Sequence, residues 1–311
     1  MSDTTIEWAE KSWNPVTGCT PVSEGCANCY AKRMANRLRG RFGYPADDPF
    51  RVTLHPDRLT EPLRWRKPRR VFVCSMGDLF HDDVPTDLID NVLEIVAACP
   101  AHQFLLVTKR PENIDDKLYG VTEANACRSL GGGDYLPNLW LGVSVENQAR
   151  ADERIPILLQ IPAAVRFVSY EPALGPVDFS PWLTPAGELV TTSRTPDWLI
   201  AGGESGPGAR PAHPDWFRKV RDDCQAAGAA FFFKQWGAFR PYKFGDPWTI
   251  LKPVALRGGG ARLPDLPPCD TEAEWRAHLG DTALMEPVGK KAAGRLLDGR
   301  EWNEYPAEAE E

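Results

Sequence analysis

Six short apolar runs, spaced so that helices fit between them, constrain this chain most. They are Val71–Ser75, Phe104–Thr108, Leu139–Val145, Arg166–Ser169, Trp198–Ala201 and Ala230–Lys234. Most are nearly continuous rather than alternating, the pattern of strands buried on both faces of a parallel sheet. Between them, Asp87–Cys99 places Leu88, Val92, Ile95 and Val96 on one stripe. Asp215–Ala227 places Trp216, Val220, Cys224 and Ala227 on another, with Gly228 as a stop signal. Asn147–Gln160 is a third, more broken helix candidate, interrupted by Pro156. A first strand is expected in Ser12–Thr17. The repeat gives about six or seven β-α units between residues 10 and 240, which predicts an α/β fold: a full or partial parallel (β/α) barrel.

The pattern changes at Phe239. Residues 1–238 are expected to form the barrel and residues 239–311 a C-terminal extension that packs on it. Within the extension, Arg257–Gly260 and Pro264–Pro268 read as loops and Gly289–Leu297 as a short helix. Glu308–Glu311 reads as a frayed acidic tail. A chain of 311 residues with 42% hydrophobic residues can bury a sizeable core. No stretch approaches the length of apolar sequence that spans a bilayer. Residues 1–30 carry Asp3, Glu7 and Glu10 and lack the apolar run of a signal peptide, so a cytoplasmic protein is expected. The net charge of −7 argues against a nucleic-acid binder that uses its whole surface, though not against a local basic groove.

Of the eight cysteines, three fall within eleven residues and the other five are scattered. In a reducing compartment such a cluster points to metal or redox chemistry rather than disulfides. The string runs Gly18-Cys19-Thr20-Pro21-Val22-Ser23-Glu24-Gly25-Cys26-Ala27-Asn28-Cys29-Tyr30, a C-x6-C-x2-C spacing with a helical run, Tyr30–Arg39, directly behind it. Cys19, Cys26 and Cys29 can hold three irons of a [4Fe–4S] cluster and leave the fourth iron open. A structural zinc site needs four closed ligands, for which Cys74 or His81 could supply the fourth.

The cysteine string, its place after a first strand and the β-α repeats resemble those of radical S-adenosylmethionine (SAM) enzymes. Here the first cysteine gap is three residues longer than the C-x3-C-x2-C usual there. A closer resemblance is to a phage- and mobile-element-associated family of unknown function marked by this three-cysteine motif. Its hallmarks are Trp13–Cys19, Thr108-Lys109-Arg110-Pro111, Gly142–Asn147, Gly202-Gly203-Glu204-Ser205-Gly206 and Phe233-Lys234-Gln235-Trp236-Gly237. The radical SAM resemblance implies reductive cleavage of SAM and hydrogen abstraction from a substrate by the resulting 5′-deoxyadenosyl radical. It also implies an electron donor such as flavodoxin or ferredoxin.

In a β/α barrel the chemistry sits at the carboxyl ends of the strands, and polar residues recur there unit after unit. The resemblance assigns Asp78, in the Met76-Gly77-Asp78 segment, to the amine of SAM. Lys109 or Arg110 suits its carboxylate, and Ser144 or Glu146 its ribose. Gly77, Gly203 and Tyr30 are candidates for close approach to the cofactor. Glu171, Glu204 and Lys234 are the candidate catalytic residues, with Gln235 beside them and Trp236 as either a stacking surface or a core residue. Two basic stretches, Lys32–Arg41 and Arg64–Arg70, raise nucleic acid or a nucleobase as substrate. Competing expectations are a zinc-stapled nucleic-acid-binding module without catalysis, and a cofactor-free hydrolase using Glu171 and Glu204.

Overall fold

The computed structural model describes residues 4, 6–114, 135–183, 195–242, 254–260, 262–263 and 281–307. Its centre is a seven-stranded parallel sheet. The strands are β1 (Lys11–Trp13), β4 (Arg70–Val73), β5 (Gln103–Thr108), β6 (Leu139–Val145), β7 (Val165–Tyr170), β8 (Trp198–Gly202) and β9 (Ala230–Gln235), side by side in that order. A doubly wound sheet reverses direction at a switch point. Here the strand order never reverses, so right-handed crossovers stack the helices on one face. The two edges, β1 and β9, are not bonded to each other, which makes the fold a partial barrel.

Each of the six apolar runs is a strand, with ends within two residues of the expected ones. The first expected strand divides. Lys11–Trp13 joins the main sheet, while β2 (Val16–Thr17) leaves it to pair antiparallel with β3 (Thr53–Leu54). Asn14 and Pro15 make the break: Asn14 Oδ1 accepts from Met76 N at 2.9 Å, and Pro15 has no N–H for a ladder.

The helices α1 (Tyr30–Arg37), α2 (Thr86–Ala97), α3 (Gln148–Gln160) and α4 (Pro214–Ala227) follow their strands. α3 is not broken at Pro156. Asn147 caps it by accepting from Arg150 N at 3.1 Å, and Ala151, Ile155 and Leu158 are buried. Packing there outweighs the lost hydrogen bond of an interior proline. α4 starts with Pro214 behind the cap His213 and ends at Gly228 in the left-handed region.

Alternate side chains form two cores. Phe104, Leu106, Leu141, Val143, Val168, Leu199, Phe231 and Phe233 face the helices. Leu105, Trp140, Phe167, Trp198, Ile200 and Phe232 fill the concave face together with Trp8. This second layer fills the concave face beneath the carboxyl ends of the strands.

The region after β9 contains strands that the sequence reading did not anticipate. β10 (Phe239–Pro241), β11 (Val254–Arg257), β12 (Arg262–Leu263) and β13 (Thr282–Pro287) form an antiparallel sheet, order β10-β13-β11-β12. The loop expected from Arg257 begins only after β11. The helix expected over Gly289–Leu297 is shorter, α5 (Lys290–Ala293), because Gly294 takes φ +71°. Trp302 O accepts from Phe233 N (3.0 Å) and Glu304 N donates to Phe231 O (3.2 Å), so the chain end covers the exposed edge of β9. Pro264–Pro268, Glu308–Glu311, Cys127 and Cys269 lie outside the described residues.

Candidate functional site

The cysteine loop lies across the strand ends, and each of its attachments can be traced. Gly18 follows β2 at φ +86° with its N–H on Met76 O (2.9 Å), and a Cβ there would come within 2.2 Å of Arg51 O. No other residue fits. Beyond β5, Arg110 donates to Cys19 Sγ (3.3 Å), Thr20 O (3.0 Å) and Thr20 Oγ1 (2.8 Å). Beyond β6, Glu146 accepts from Ser23 Oγ (2.7 Å) and Asn147 donates to Glu24 Oε1 (2.8 Å). Beyond β8, Glu204 accepts from Asn28 Nδ2 (3.1 Å), while Arg210 reaches Glu24 O (3.0 Å). From α1, Arg33 turns inward to Asn28 O (2.9 Å) and Ser205 O (3.0 Å). The loop is therefore held by residues beyond four strands, β4, β5, β6 and β8, and by its own following helix.

All three of its thiols, Cys19, Cys26 and Cys29, are free and line a single cavity of about 380 Å³. Burial pushes the Cys19 thiol up to about 11, and the Asp78 carboxylate adds to this against the pull of Arg110. Burial also works to raise Cys26. There the charge of Lys109 and bonds from the backbone and hydroxyl of the Val22-Ser23 segment prevail and hold it below the usual thiol value.

Ser144, Ser169, Glu171, Lys234 and Gln235 also line the cavity. Lys234 Nζ donates to Glu171 Oε2 at 2.7 Å, and Gln235 Nε2 donates to Glu171 Oε1 (3.3 Å) and Gly203 O (2.8 Å). The register of β8 against β9 shifts here, so Gly202 pairs with Gln235. This irregularity lets two consecutive side chains reach one carboxylate, which regular alternation forbids.

Tyr30, Gly77, Asp78, Lys109, Arg110, Ser144, Glu171, Gly203, Glu204 and Lys234 all line this cavity with the cysteines. Glu146, expected at a ribose, does not. It is fully buried and accepts from Ser23, Lys109 Nζ and Arg154 Nη1 (3.2 Å), so it buttresses the loop. Glu204, expected to be catalytic, is bound by Arg210 Nη2 (2.6 Å) and Nε (2.8 Å) as well as Asn28. Burial works to raise its pKa, and these bonds outweigh burial and hold it below the carboxylate range. Gly203 lines the cavity and also admits the chain just beyond β9, since a Cβ there would meet Trp236 O at 2.1 Å. Asp78 accepts from Thr108 Oγ1 (2.8 Å), Phe80 N (3.1 Å) and Lys109 N (3.2 Å), with Arg110 at 3.6 Å. About one of its four acceptor positions is left open. Tyr30 donates its hydroxyl to Ser75 O. Trp236 is a core residue whose indole donates to Leu296 O (2.8 Å).

Asn28, Arg154 and Arg210 escaped the sequence reading. Each acts on partners far away in the chain or hidden in a helix, and no local pattern marks it.

The donor set can be tested against the two metal groups considered. Among the described residues, no three His, Cys, Asp or Glu side chains converge closely enough to share one ion. A single zinc ion needs such convergence. An iron–sulfur cluster takes one thiolate on each of several irons, so its ligands surround a space. Three free thiols around one cavity, with Arg110 and Lys109 beside two of them, fit the cluster. Cys74 lines the cavity too, whereas His81 is outside it and its Nε2 meets Thr20 Oγ1 at 2.8 Å. Among the described residues no helix is long and apolar enough to cross a membrane.

Fold and site together define a parallel β/α partial-barrel protein with a three-thiol cavity at its strand ends. The chain matches the family model described as protein of unknown function, DUF5131, over residues 3–306, and it belongs to that family. No curated protein matches. Solved structures of spore photoproduct lyase are similar at low identity. A double mutant with bound AdoMet and dinucleoside spore photoproduct is 12% identical, with a TM-score of 0.43 over 76% of this chain and 58% of that one. The lyase complexed with dinucleoside spore photoproduct is 13% identical, with a TM-score of 0.42 over 73% of this chain and 64% of that one. The chain thus spans less than two thirds of the length of these lyases.

Proposed function

We propose that this protein is a radical SAM enzyme whose [4Fe–4S] cluster is held by Cys19, Cys26 and Cys29. The observation that carries the reading is the convergence of the three thiols on one cavity at the strand ends, where Arg110 donates to Cys19 and Lys109 stands beside Cys26. When bound, the cluster supplies one electron for cleavage of SAM, and the substrate gives up a hydrogen atom.

The chain's own residues fix the arrangement. Arg110 and Lys109 offset the negative charge of thiolate ligands. Asp78 orients both, through its bonds to Lys109 N and its contact with Arg110, and offers its remaining acceptor position to the SAM amine. Ser144, which lines the cavity, offers its hydroxyl to the ribose in this reading. Glu171 and Lys234 hold the substrate. The electron comes from a partner such as flavodoxin or ferredoxin. Of the two basic stretches, Lys32–Arg41 begins on the helix that leaves the cysteine loop and runs past its end at Arg37. Arg33 is occupied within that loop, and Arg39 and Arg41 donate to backbone carbonyls of Ala46, Asp47 and Arg37, which leaves Lys32 and Arg37 exposed for a polynucleotide.

The reading is tested by anaerobic reconstitution with iron and sulfide, addition of a reductant and SAM, and chromatography for 5′-deoxyadenosine. Formation of 5′-deoxyadenosine that disappears in Cys26→Ala supports it. A reconstituted, reduced protein that leaves SAM intact refutes it.

A further inference from the structure

The thiols of the loop differ in what touches them. Arg110 Nη1 donates to Cys19 Sγ at 3.3 Å, a bond from a full cation. At Cys26 the bonded groups are neutral: the Ser23 hydroxyl at 3.7 Å and the backbone of Val22 and Ser23. Arg110 is 3% exposed, so water screens its charge little. Its position is fixed from both ends. Nη2 holds Thr20 O (3.0 Å) and Thr20 Oγ1 (2.8 Å), its backbone N–H holds Thr108 Oγ1 (2.9 Å), and the Asp78 carboxylate stands at 3.6 Å. One planar fork thus grips both the first cysteine and the first residue of the long gap behind it. A lysine ammonium has no such fork.

We infer that Arg110 is a positioning residue that sets the reduction potential of the cluster through its bond to Cys19. A cation that donates to a ligand sulfur draws negative charge from it, which stabilises the state carrying one more electron. Arg110 therefore raises the potential and brings it within reach of the electron-donating partner. That partner is oxidised by one electron as the cluster is reduced, and the guanidinium keeps its protons throughout. The arrangement is ready for a thiolate. As a free thiol, Cys19 donates to Thr20 O (3.3 Å), and iron binding removes that hydrogen. Arg110 Nη2 already serves the same carbonyl, so neither the sulfur nor the carbonyl is left without a donor. This rests on the reading of the three thiols as cluster ligands.

The experiment is redox titration of the anaerobically reconstituted protein, without SAM, followed by electron paramagnetic resonance of the reduced cluster. Iron is counted on the same samples. Arg110→Gln should make reduction about ten-fold or more less favourable, a fall of about 59 mV per factor of ten for one electron. Arg110→Lys keeps the charge without the fork, and its potential should fall less. Arg33→Gln is the control. Arg33 brings the same charge to the loop but bonds Asn28 O and Ser205 O rather than a thiol, so its shift should be smaller than that of Arg110→Gln. A purely structural Arg110 would cost iron and leave the potential of the retained clusters unchanged, and that result overturns the inference. So does an equal shift in Arg33→Gln. Where no Arg110 variant keeps a cluster, wild-type protein with its arginines labelled by the heavy nitrogen isotope decides. Coupling of a guanidinium nitrogen to the reduced cluster in electron–nuclear double resonance supports the inference, and no coupling overturns it. Reconstituted wild type without iron removes the underlying reading, and the inference with it.

Discussion

Ser23 donates its hydroxyl to Glu146 Oε1 at 2.7 Å, and this bond joins the cysteine loop to the end of β6 across 123 positions of sequence. Glu146 also holds Lys109 and the buried Arg154, so one carboxylate couples the loop, the cation beside Cys26 and helix α3. Replacing Glu146 with Ala leaves Arg154 buried without its anionic partner. The expected loss is about 3–5 kcal/mol of stability. Denaturant midpoints of wild type and Glu146→Ala measure it, and a change below about 1 kcal/mol would deny the carboxylate this role.

Glu204→Gln keeps an acceptor for Asn28 but removes the charge that Arg210 grips. A charge-assisted bond of this kind contributes about 1.5–3 kcal/mol. Because Glu204 secures the loop, the variant should lose iron faster under oxygen while cleaving SAM normally per cluster retained. Iron content and 5′-deoxyadenosine yield, measured on the same samples, separate the two effects. Full iron with no SAM cleavage would return Glu204 to the chemistry.

Asp78→Asn changes an acceptor into a group with its own N–H donors, facing Thr108, Phe80 N and Lys109 N. Lower thermal stability is expected, together with SAM affinity reduced about ten-fold or more as the anion facing the amine is lost. Calorimetry with SAM at a temperature where the variant is folded isolates the second effect. Unchanged affinity would leave Asp78 with only the positioning of Lys109 and Arg110.

His55 makes stability depend on pH. It is buried, meets Thr17 Oγ1 at 2.8 Å and braces the β2–β3 ribbon ahead of Cys19. Burial, aided by the charge of Arg58, lowers its pKa from 6.5 to about 4. Between those values the unfolded chain binds more protons than the folded one. The contribution is therefore complete above pH 6.5 and is lost as the pH falls toward 4, by an amount on the order of 3 kcal/mol. His81 and His213, lowered mainly by burial, act with the same sign. Denaturation of cluster-free protein between about pH 7 and pH 5 should show a shallower pH slope for His55→Asn than for wild type. Equal slopes would contradict the assignment.

The sheet was legible because burial on both faces demands the continuous apolar runs that Leu139–Val145 and Trp198–Gly202 display. The antiparallel sheet after β9 was not, because its strands are short and carry little apolar repeat. Within the site, Cys19, Cys26, Cys29, Asp78, Lys109 and Glu171 could be placed at the strand ends by counting along the chain. What each does there depended on partners in space. Glu146 and Glu204 look like any other strand-end acids until Ser23, Asn28, Arg154 and Arg210 are seen around them. The bulge that turns Gln235 toward Glu171 is likewise a property of the β8–β9 register rather than of either strand alone.

The central claim is tested most directly by iron and acid-labile sulfide analysis of protein purified without oxygen. About four of each per chain are expected. They should be lost in Cys19→Ala, Cys26→Ala and Cys29→Ala and kept in Cys99→Ala and Cys224→Ala, whose thiols are buried away from the cavity. Stoichiometric zinc without iron, or a full cluster surviving loss of Cys26, would contradict the account.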